Sequence, residues 1–101
     1  MKFDEAVERF YKHCIVKNIS PFTLEYYKKT MKFFKDNYPV EYLSEIDIDY
    51  VEDMIYQERQ KNIRKPTSLN TNLRGLRTFL YFCMDREYMQ TFRFQLIKTN
   101  P

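Results

Sequence analysis

The chain has 101 residues, 44% of them hydrophobic and 18% aromatic, and it contains one glycine. This size allows one domain with a core rich in aromatic rings, while the near absence of glycine argues against a β-sandwich or a barrel. The formal net charge of +3 is small, so the arrangement of the charges along the chain is more informative than their sum.

Two amphipathic helices are predicted in the first third of the chain. The first spans about Phe3 to Lys17, and the second spans about Pro21 to Asp36 with Ser20 as its N-cap. Their apolar residues recur every three or four positions, which is the spacing of one helix face. These residues are Phe3, Val7, Phe10 and Cys14 in the first helix and Leu24, Tyr27, Met31 and Phe34 in the second.

Two further helices are predicted in the second half of the chain. The third begins after Asp47 or Asp49, either of which can cap it, and runs to about Lys61, while the fourth runs from about Thr67 to Glu87. The expected buried side of the third helix consists of Ile48, Val51, Met54 and Ile55. The fourth helix has the clearest periodicity, formed by Leu69, Leu73, Leu76, Leu80 and Cys83 and widened by Phe79 and Phe82.

The last residues alternate between polar and apolar side chains and predict an extended segment. It covers residues 91–101 and follows a helical domain of residues 1–90. No partner strand is visible in the sequence, so we expect a linker that pairs with something beyond Pro101. The predicted architecture is therefore all-α: a compact four-helix bundle with a short extended C-terminal linker.

Charges of opposite sign occupy separate stretches of the chain. Residues 41–58 contain seven acids and no base, residues 59–77 contain six bases and no acid, and residues 26–35 contain four lysines and no acid. A small protein whose basic helices are set apart from an acidic one can present a positive face to a polyanion. This pattern favours a nucleic acid as the partner.

Neither a membrane segment nor a metal site is expected. No stretch approaches the ~18 apolar residues of a membrane span, and the N-terminus lacks the apolar core of a signal peptide. Cys14 and Cys83 do not have the spacing of metal ligands, and His13 is the only histidine. We therefore expect no cofactor and a cytoplasmic protein with free thiols, because that compartment is reducing.

Three stretches together resemble one family of domains. Ser20-Pro-Phe-Thr-Leu-Glu-Tyr-Tyr is similar to the start of the second helix in the core-binding domain of tyrosine recombinases, the phage integrase family. Leu43-Ser-Glu-Ile-Asp-Ile-Asp-Tyr-Val resembles the start of its third helix. Thr67-Ser-Leu-Asn-Thr-Asn-Leu-Arg-Gly-Leu-Arg-Thr-Phe-Leu-Tyr-Phe resembles its last long helix, so that the resemblance covers nearly the whole chain.

The resemblance implies a SAM-like helical domain that forms half of a clamp around duplex DNA, beside other recombinase protomers. In such enzymes a second domain cuts and rejoins DNA with a tyrosine nucleophile, two arginines, a lysine and a His-x-x-Arg motif. None of that set is identifiable here: His13 is followed by Cys14, Ile15 and Val16, and nothing marks one tyrosine as a nucleophile. We therefore expect a non-catalytic DNA-binding fragment with no small-molecule substrate.

The second and fourth helices, together with the basic loop before the fourth, supply the predicted DNA contacts. Polar residues of the fourth helix lie opposite its leucines, and the resemblance assigns contacts to Thr67, Thr71 and Arg74. The second helix offers hydroxyls at its N-terminus, where backbone N–H groups are also free. It also carries Tyr26 and two lysines along one flank. The full set is Ser20, Thr23, Tyr26, Lys29, Lys32, Arg64, Lys65, Thr67, Thr71 and Arg74.

Each of these assignments has a structural alternative. Ser20 suits a plain N-cap, and the other polar residues suit the solvated side of a bundle. Gly75, which costs about 1 kcal/mol relative to alanine within a helix, allows either close approach of DNA or close packing of another helix, and we favour packing. The competing function is a helical protein–protein module. A complete small enzyme is disfavoured, since no catalytic constellation can be assembled.

Overall fold

Four α-helices account for most of the structure, a computed structural model that describes residues 1–99. They are α1 (Phe3–Val16), α2 (Pro21–Asn37), α3 (Ile48–Lys61) and α4 (Pro66–Asp85), and a short 3₁₀ helix, Leu43–Glu45, lies between α2 and α3. No strand is present among the described residues. The prediction of an all-α four-helix bundle is confirmed.

Local sequence signals set the helix ends. Ser20 is the N-cap of α2, where its Oγ accepts a hydrogen bond from the Thr23 amide at 3.2 Å. Of the two candidate caps for α3, Asp47 is the one used, and it accepts from the Tyr50 amide at 2.8 Å. The residue that follows α3, Asn62, has a left-handed backbone conformation with φ of 52°, which ends the helix.

The central helix of the bundle is α4, whose apolar face is buried against α1 and α2. Phe79 contacts the rings of Phe3 and Phe10 edge to face, with centroid distances of 5.6 and 5.5 Å. Edge-to-face pairs of this kind contribute beyond the area that they bury. The whole predicted stripe of α4 is buried: Leu69, Leu73, Leu76, Phe79, Leu80, Phe82 and Cys83.

Helices α2 and α4 approach each other closely at Gly75. A Cβ atom at this position would lie 2.9 Å from Oγ1 and 3.0 Å from Cγ2 of Thr30, distances at which atoms overlap. Thr30 is itself only 1% exposed. The missing side chain of Gly75 therefore makes room for Thr30. Of the two accounts of this glycine, helix packing is the one that the structure shows.

The connection between α2 and α3 contributes to the core, which helical periodicity did not predict. Leu43 and Ile46 are both buried. An isolated bridge pairs Tyr42 with Lys2, and the Leu43 amide donates to the Met1 carbonyl at 3.0 Å. The chain start is thereby fixed to this connection. The pairing is too short to produce an alternating pattern in the sequence.

Helix α3 buries less of its predicted apolar side than expected. Val51 and Met54 are buried and Ile55 is partly buried, but Ile48 is 37% exposed, so its assignment to the core is wrong. Ile48 is the first residue of α3. A helical side chain covers the turn that precedes it, and at this position there is no such turn to pack against.

The C-terminal segment lies against the bundle. The side-chain amide of Asn70 in α4 donates to the Ile97 carbonyl and accepts from the Ile97 amide, both at 2.8 Å. Phe94 is buried in the core. Residues 90–99 form neither helix nor strand. That this segment leads to a further domain stays a prediction, and Asn100 and Pro101 lie outside the described residues.

A buried carboxylate joins the end of α2 to α3. Glu58 is 6% exposed and accepts hydrogen bonds from the Tyr38 hydroxyl and, at 2.9 Å, from the Lys61 ammonium group. Tyr50 in turn donates to the Tyr38 carbonyl at 2.6 Å. Burial by itself would raise the pKa of Glu58, but the two donors, together with the charge of Arg64, lower its pKa overall.

The lowered pKa of Glu58 predicts a pH dependence of stability. A carboxylate whose pKa is lower in the folded protein stabilises the fold above the unfolded pKa, near 4.5 here, and this stabilisation is lost as the pH falls through the folded value. Glu58→Gln should therefore flatten the decline in unfolding free energy between about pH 5 and about pH 3. Urea denaturation across this range is the measurement. The exposed Glu52→Gln on the same helix is the control, and equal slopes for both variants would contradict the prediction.

The contact between Gly75 and Thr30 predicts a coupled pair of substitutions. Gly75→Ala should destabilise the protein, because overpacking costs about 1–3 kcal/mol and the gain in helix propensity is only about 1 kcal/mol. Thr30→Ala removes the two nearest overlapping atoms, so the double variant should be more stable than Gly75→Ala alone. Urea denaturation of the four proteins gives the coupling free energy. Additive effects would show that these residues do not touch.

Candidate nucleic-acid interface

Helices α2 and α4 are joined along sides that carry predicted DNA contacts. The Tyr26 hydroxyl donates to the backbone carbonyl of Thr71, and Thr30, one turn further along α2, packs on Gly75. Two predicted contact residues from different helices, Tyr26 and Thr71, are therefore adjacent. Since the proton of Tyr26 is used in this bond, Tyr26 positions α2 against α4 and is not available as a donor to phosphate.

A polar strip on α4 is exposed beside this contact. It consists of Thr67, Thr71, Arg74 and Thr78. The Thr71 hydroxyl donates to the Thr67 carbonyl at 3.2 Å and the Thr78 hydroxyl to the Arg74 carbonyl at 3.0 Å, so both of these protons point into the helix. Within residues 1–99, the Arg74 guanidinium forms no ion pair. Arg74 is therefore the main donor that the strip offers to a ligand.

The N-terminus of α2 presents a pair of hydroxyls. Ser20 Oγ donates to Thr23 Oγ1 at 3.0 Å while it accepts the Thr23 amide. The capping alternative for Ser20 is therefore the one observed. Capping satisfies one of the free amides of the helix, and Pro21 has no N–H, so few backbone donors remain for an anion. Ser20 and Thr23 fit one phosphate contact at most.

The lysines of α2 do not share one flank. Lys29 is exposed and has no ion-pair partner in the part of the chain that the structure describes. Lys32 pairs with Asp36 at 2.9 Å and lines a groove between α1 and α2, as does Lys28. Because Tyr26 contacts α4, the predicted flank of Tyr26, Lys29 and Lys32 is divided between two surfaces. Lys29 is the lysine of this set without an internal carboxylate partner.

The basic loop before α4 meets α2 through an arginine. The guanidinium carbon of Arg64 lies 4.6 Å from the ring centroid of Phe33, which is a cation–π contact. Lys65 is the N-cap residue of α4 and is exposed. Both cations are thus placed where the first turn of α4 meets α2. We call the surface made by Tyr26, Lys29, Arg64, Lys65, Thr67, Thr71 and Arg74 the α2–α4 face, and Ser20 and Thr23 lie outside it, since the start of α2 is near the C-terminal half of α4.

The acidic first half of α3 borders a different surface. Ile48 and Glu52 line an open groove of about 660 Å³ together with Phe94 and Ile97 of the C-terminal segment. Among residues 1–99, no ion pair joins an acid of α3 to a cation of α2 or α4. Internal pairing cancels part of the separated charge, since Lys61 pairs with Glu58 and Lys32 with Asp36, while the cations Lys29 and Arg74 have no ion-pair partner among the described residues.

Sequence reasoning missed two exposed apolar residues that adjoin predicted contact residues in the chain. Phe22 is 89% exposed beside Thr23, and Ile63 is 82% exposed beside Arg64. Phe22 falls outside the apolar stripe of α2, and this position off the stripe is the sequence signal that could have found it. Exposed aromatic and aliphatic side chains next to cations can stack on bases or wedge between them.

Comparisons with protein-family models, with curated proteins and with solved structures give no match to this chain. The α2–α4 face is therefore defined by the geometry and charge of its own residues. As for the membrane, no helix within residues 1–99 combines the length and the apolar character needed to cross a bilayer.

Proposed function

We propose that this chain is a DNA-binding domain of a site-specific tyrosine recombinase or integrase and that it binds duplex DNA through the α2–α4 face. The domain itself is non-catalytic in this proposal. It acts in the cytoplasm beside other recombinase protomers, and the cutting and rejoining of DNA are carried out by a catalytic domain outside this chain. Support comes from the sequence resemblance described above and from the arrangement of α2 and α4.

The observation that carries the proposal is the direct packing of α2 on α4. The Tyr26 bond to Thr71 and the seat of Thr30 on Gly75 bring the exposed edges of the two helices together. An α-helix fits the major groove of B-DNA, and cations beside it can hold the flanking phosphates. Arg74 would point at the DNA from α4, and Lys29 would hold a phosphate from α2.

A specific observation also keeps the second candidate function open. The groove between α3 and the C-terminal segment is lined by apolar side chains, among them Ile55, Phe94 and Ile97. A groove of this kind fits the interface of a helical protein–protein module. In that case copies of the chain, or a partner protein, would associate through α3 and no duplex would bind.

Titration of a duplex at two salt concentrations separates the two candidate functions. DNA binding through several phosphates weakens steeply with salt, by a slope of about −0.9 per phosphate on logarithmic axes. Sedimentation at rising protein concentration reports self-association in the same buffers. The cognate site is the informative duplex, because an isolated half-clamp is expected to bind random DNA weakly. Self-association that is indifferent to salt, without DNA binding, would reject the recombinase proposal.

Arg74→Ala is expected to weaken DNA binding by about 1–3 kcal/mol, since it removes a donor fork from the α2–α4 face. The fold should be retained because Arg74 is exposed. The matched control is Arg93→Ala, which removes the same charge from the groove beside α3. Fluorescence anisotropy measures binding, and circular dichroism checks the fold. Equal losses in both variants would mean that net charge, and not this face, governs binding.

Adjacent lysines of α2 provide a second test of the same face. Lys29→Ala should reduce the salt slope of DNA binding by the contribution of about one phosphate contact. Lys28→Ala should leave that slope unchanged, because Lys28 lies over the ring of Tyr11 in α1, 5.8 Å from its centroid. Both variants lose one positive charge from neighbouring positions. A slope that falls equally in both would move the contact surface to the groove between α1 and α2.

A further inference from the structure

A second cationic site occupies a cleft between α1 and the C-terminal end of α4. The cleft has a volume of about 480 Å³ and is lined by Arg9, Lys12, His13, Phe82, Arg86 and Tyr88, together with Val16. This volume is in the range of small-molecule sites. Arg86 is about 18 Å further along the helix direction than Arg74, at 1.5 Å per residue. The cleft is therefore separate from the α2–α4 face.

Both arginines of the cleft lie over aromatic rings. The guanidinium carbon of Arg86 is 5.1 Å from the Phe82 centroid, and that of Arg9 is 5.5 Å from the Tyr88 centroid. Arg9 also donates to the Tyr88 hydroxyl at 3.3 Å. A guanidinium held over a ring keeps N–H donors in its plane for an oxyanion, and it loses little freedom on binding one.

Positive charge in the cleft exceeds the negative charge near it. No carboxylate is among its lining residues within the described chain. Glu5 forms an exposed salt bridge with Arg9 at 3.2 Å, and Asp85 lies in the adjoining pocket that shares Arg86. Two guanidinium groups and the Lys12 ammonium group are thus set against two carboxylates outside the cleft, of which Glu5 is already paired.

The hydrogen bond and the pKa of His13 both reflect this excess of positive charge. Arg86 Nη2 donates to His13 Nδ1 at 3.3 Å, which requires a neutral imidazole with its proton on Nε2. Burial, and then the positive charges of Arg86 and Lys17, lower the pKa of His13. An anion placed between the two arginines would offset those charges and favour the protonated ring.

We propose that this cleft binds the terminal phosphate of a small phosphorylated molecule, held between Arg9 and Arg86 with Lys12 as a third positive charge. A terminal phosphate carries close to two negative charges at neutral pH, and the three cations that line the cleft can bind it. Because the guanidinium groups cover Phe82 and Tyr88, the rings are not free to stack on a base. The oxyanion itself is therefore the recognised group. This site does not depend on the proposed DNA-binding function.

Inorganic phosphate is the probe for the first experiment. Nuclear magnetic resonance of the intact chain should show saturable shifts of the His13 ring and of the Arg9 and Arg86 side chains, with a dissociation constant on the order of 1 mM. Arg9→Ala and Arg86→Ala should each weaken binding about tenfold. The phosphate affinity of Arg86→Lys should lie between those of Arg86→Ala and the unaltered chain, because lysine keeps the charge and loses the forked pair of N–H donors. Arg59→Ala on α3 is the control and should bind as the unaltered chain does.

Sulfate extends the experiment to pH, because its charge is constant between about pH 5 and about pH 8. Binding should strengthen as the pH falls through the pKa of His13. The charged and titratable groups that line the two pockets beside this ring are Arg9, Lys12 and Cys14 from α1, Lys17 after it, Tyr27 from α2, Asp85 from the end of α4, and Arg86 and Tyr88 after it. The affinity of the His13→Gln variant for sulfate should not change with pH between about pH 5 and about pH 8.

Three results would overturn the proposal. Shifts that do not saturate, or that are equal in Arg86→Ala and in the unaltered chain, would mean that the cleft holds no phosphate. Shifts of the same side chains by a duplex but not by inorganic phosphate would make the cleft part of a DNA contact.

The two proposals can fail separately. Loss of DNA binding on substitution of Arg74 alone tests the α2–α4 face and does not bear on phosphate binding in the cleft.

Discussion

The arrangement of the bundle depends on one missing side chain. Gly75 lets Thr30 of α2 sit directly on the backbone of α4, and this seat fixes which edges of the two helices adjoin. Oγ1 of Thr30 is buried without a hydrogen-bond partner in residues 1–99, which costs about 1–3 kcal/mol. The contact is therefore held by shape and not by polar pairing. With a larger residue at position 75, either the Thr30 side chain or α2 as a whole would have to move.

Periodicity was sufficient to predict the helices and most of the core. The leucines of α4 and the stripe of α1 repeat at helical spacing, and the strong caps Ser20 and Asp47 mark the helix starts because they satisfy free amides locally. Two features were not predictable in this way. Leu43 is buried by a bridge between distant segments, and Ile48 is exposed because it begins its helix, so neither depends on spacing alone.

The candidate site was less predictable than the fold. The sequence shows which residues carry charge, but which carboxylate each lysine meets is decided by tertiary structure. Lys32 turns to Asp36 while Lys29, three residues earlier, has no such partner in the described chain. The cationic cleft was not predicted at all, because Arg9 and Arg86 are far apart in sequence and are brought together by the packing of α1 on α4.

The amide of Asn70 holds the C-terminal segment by the N–H and the C=O of one residue, Ile97. The register is set by Phe94, which is buried in the core, since a slip of one residue would turn its ring away from the bundle. Any force applied to the chain after Ile97 would be transmitted to the first half of α4, the same stretch of helix that carries Thr67 and Arg74.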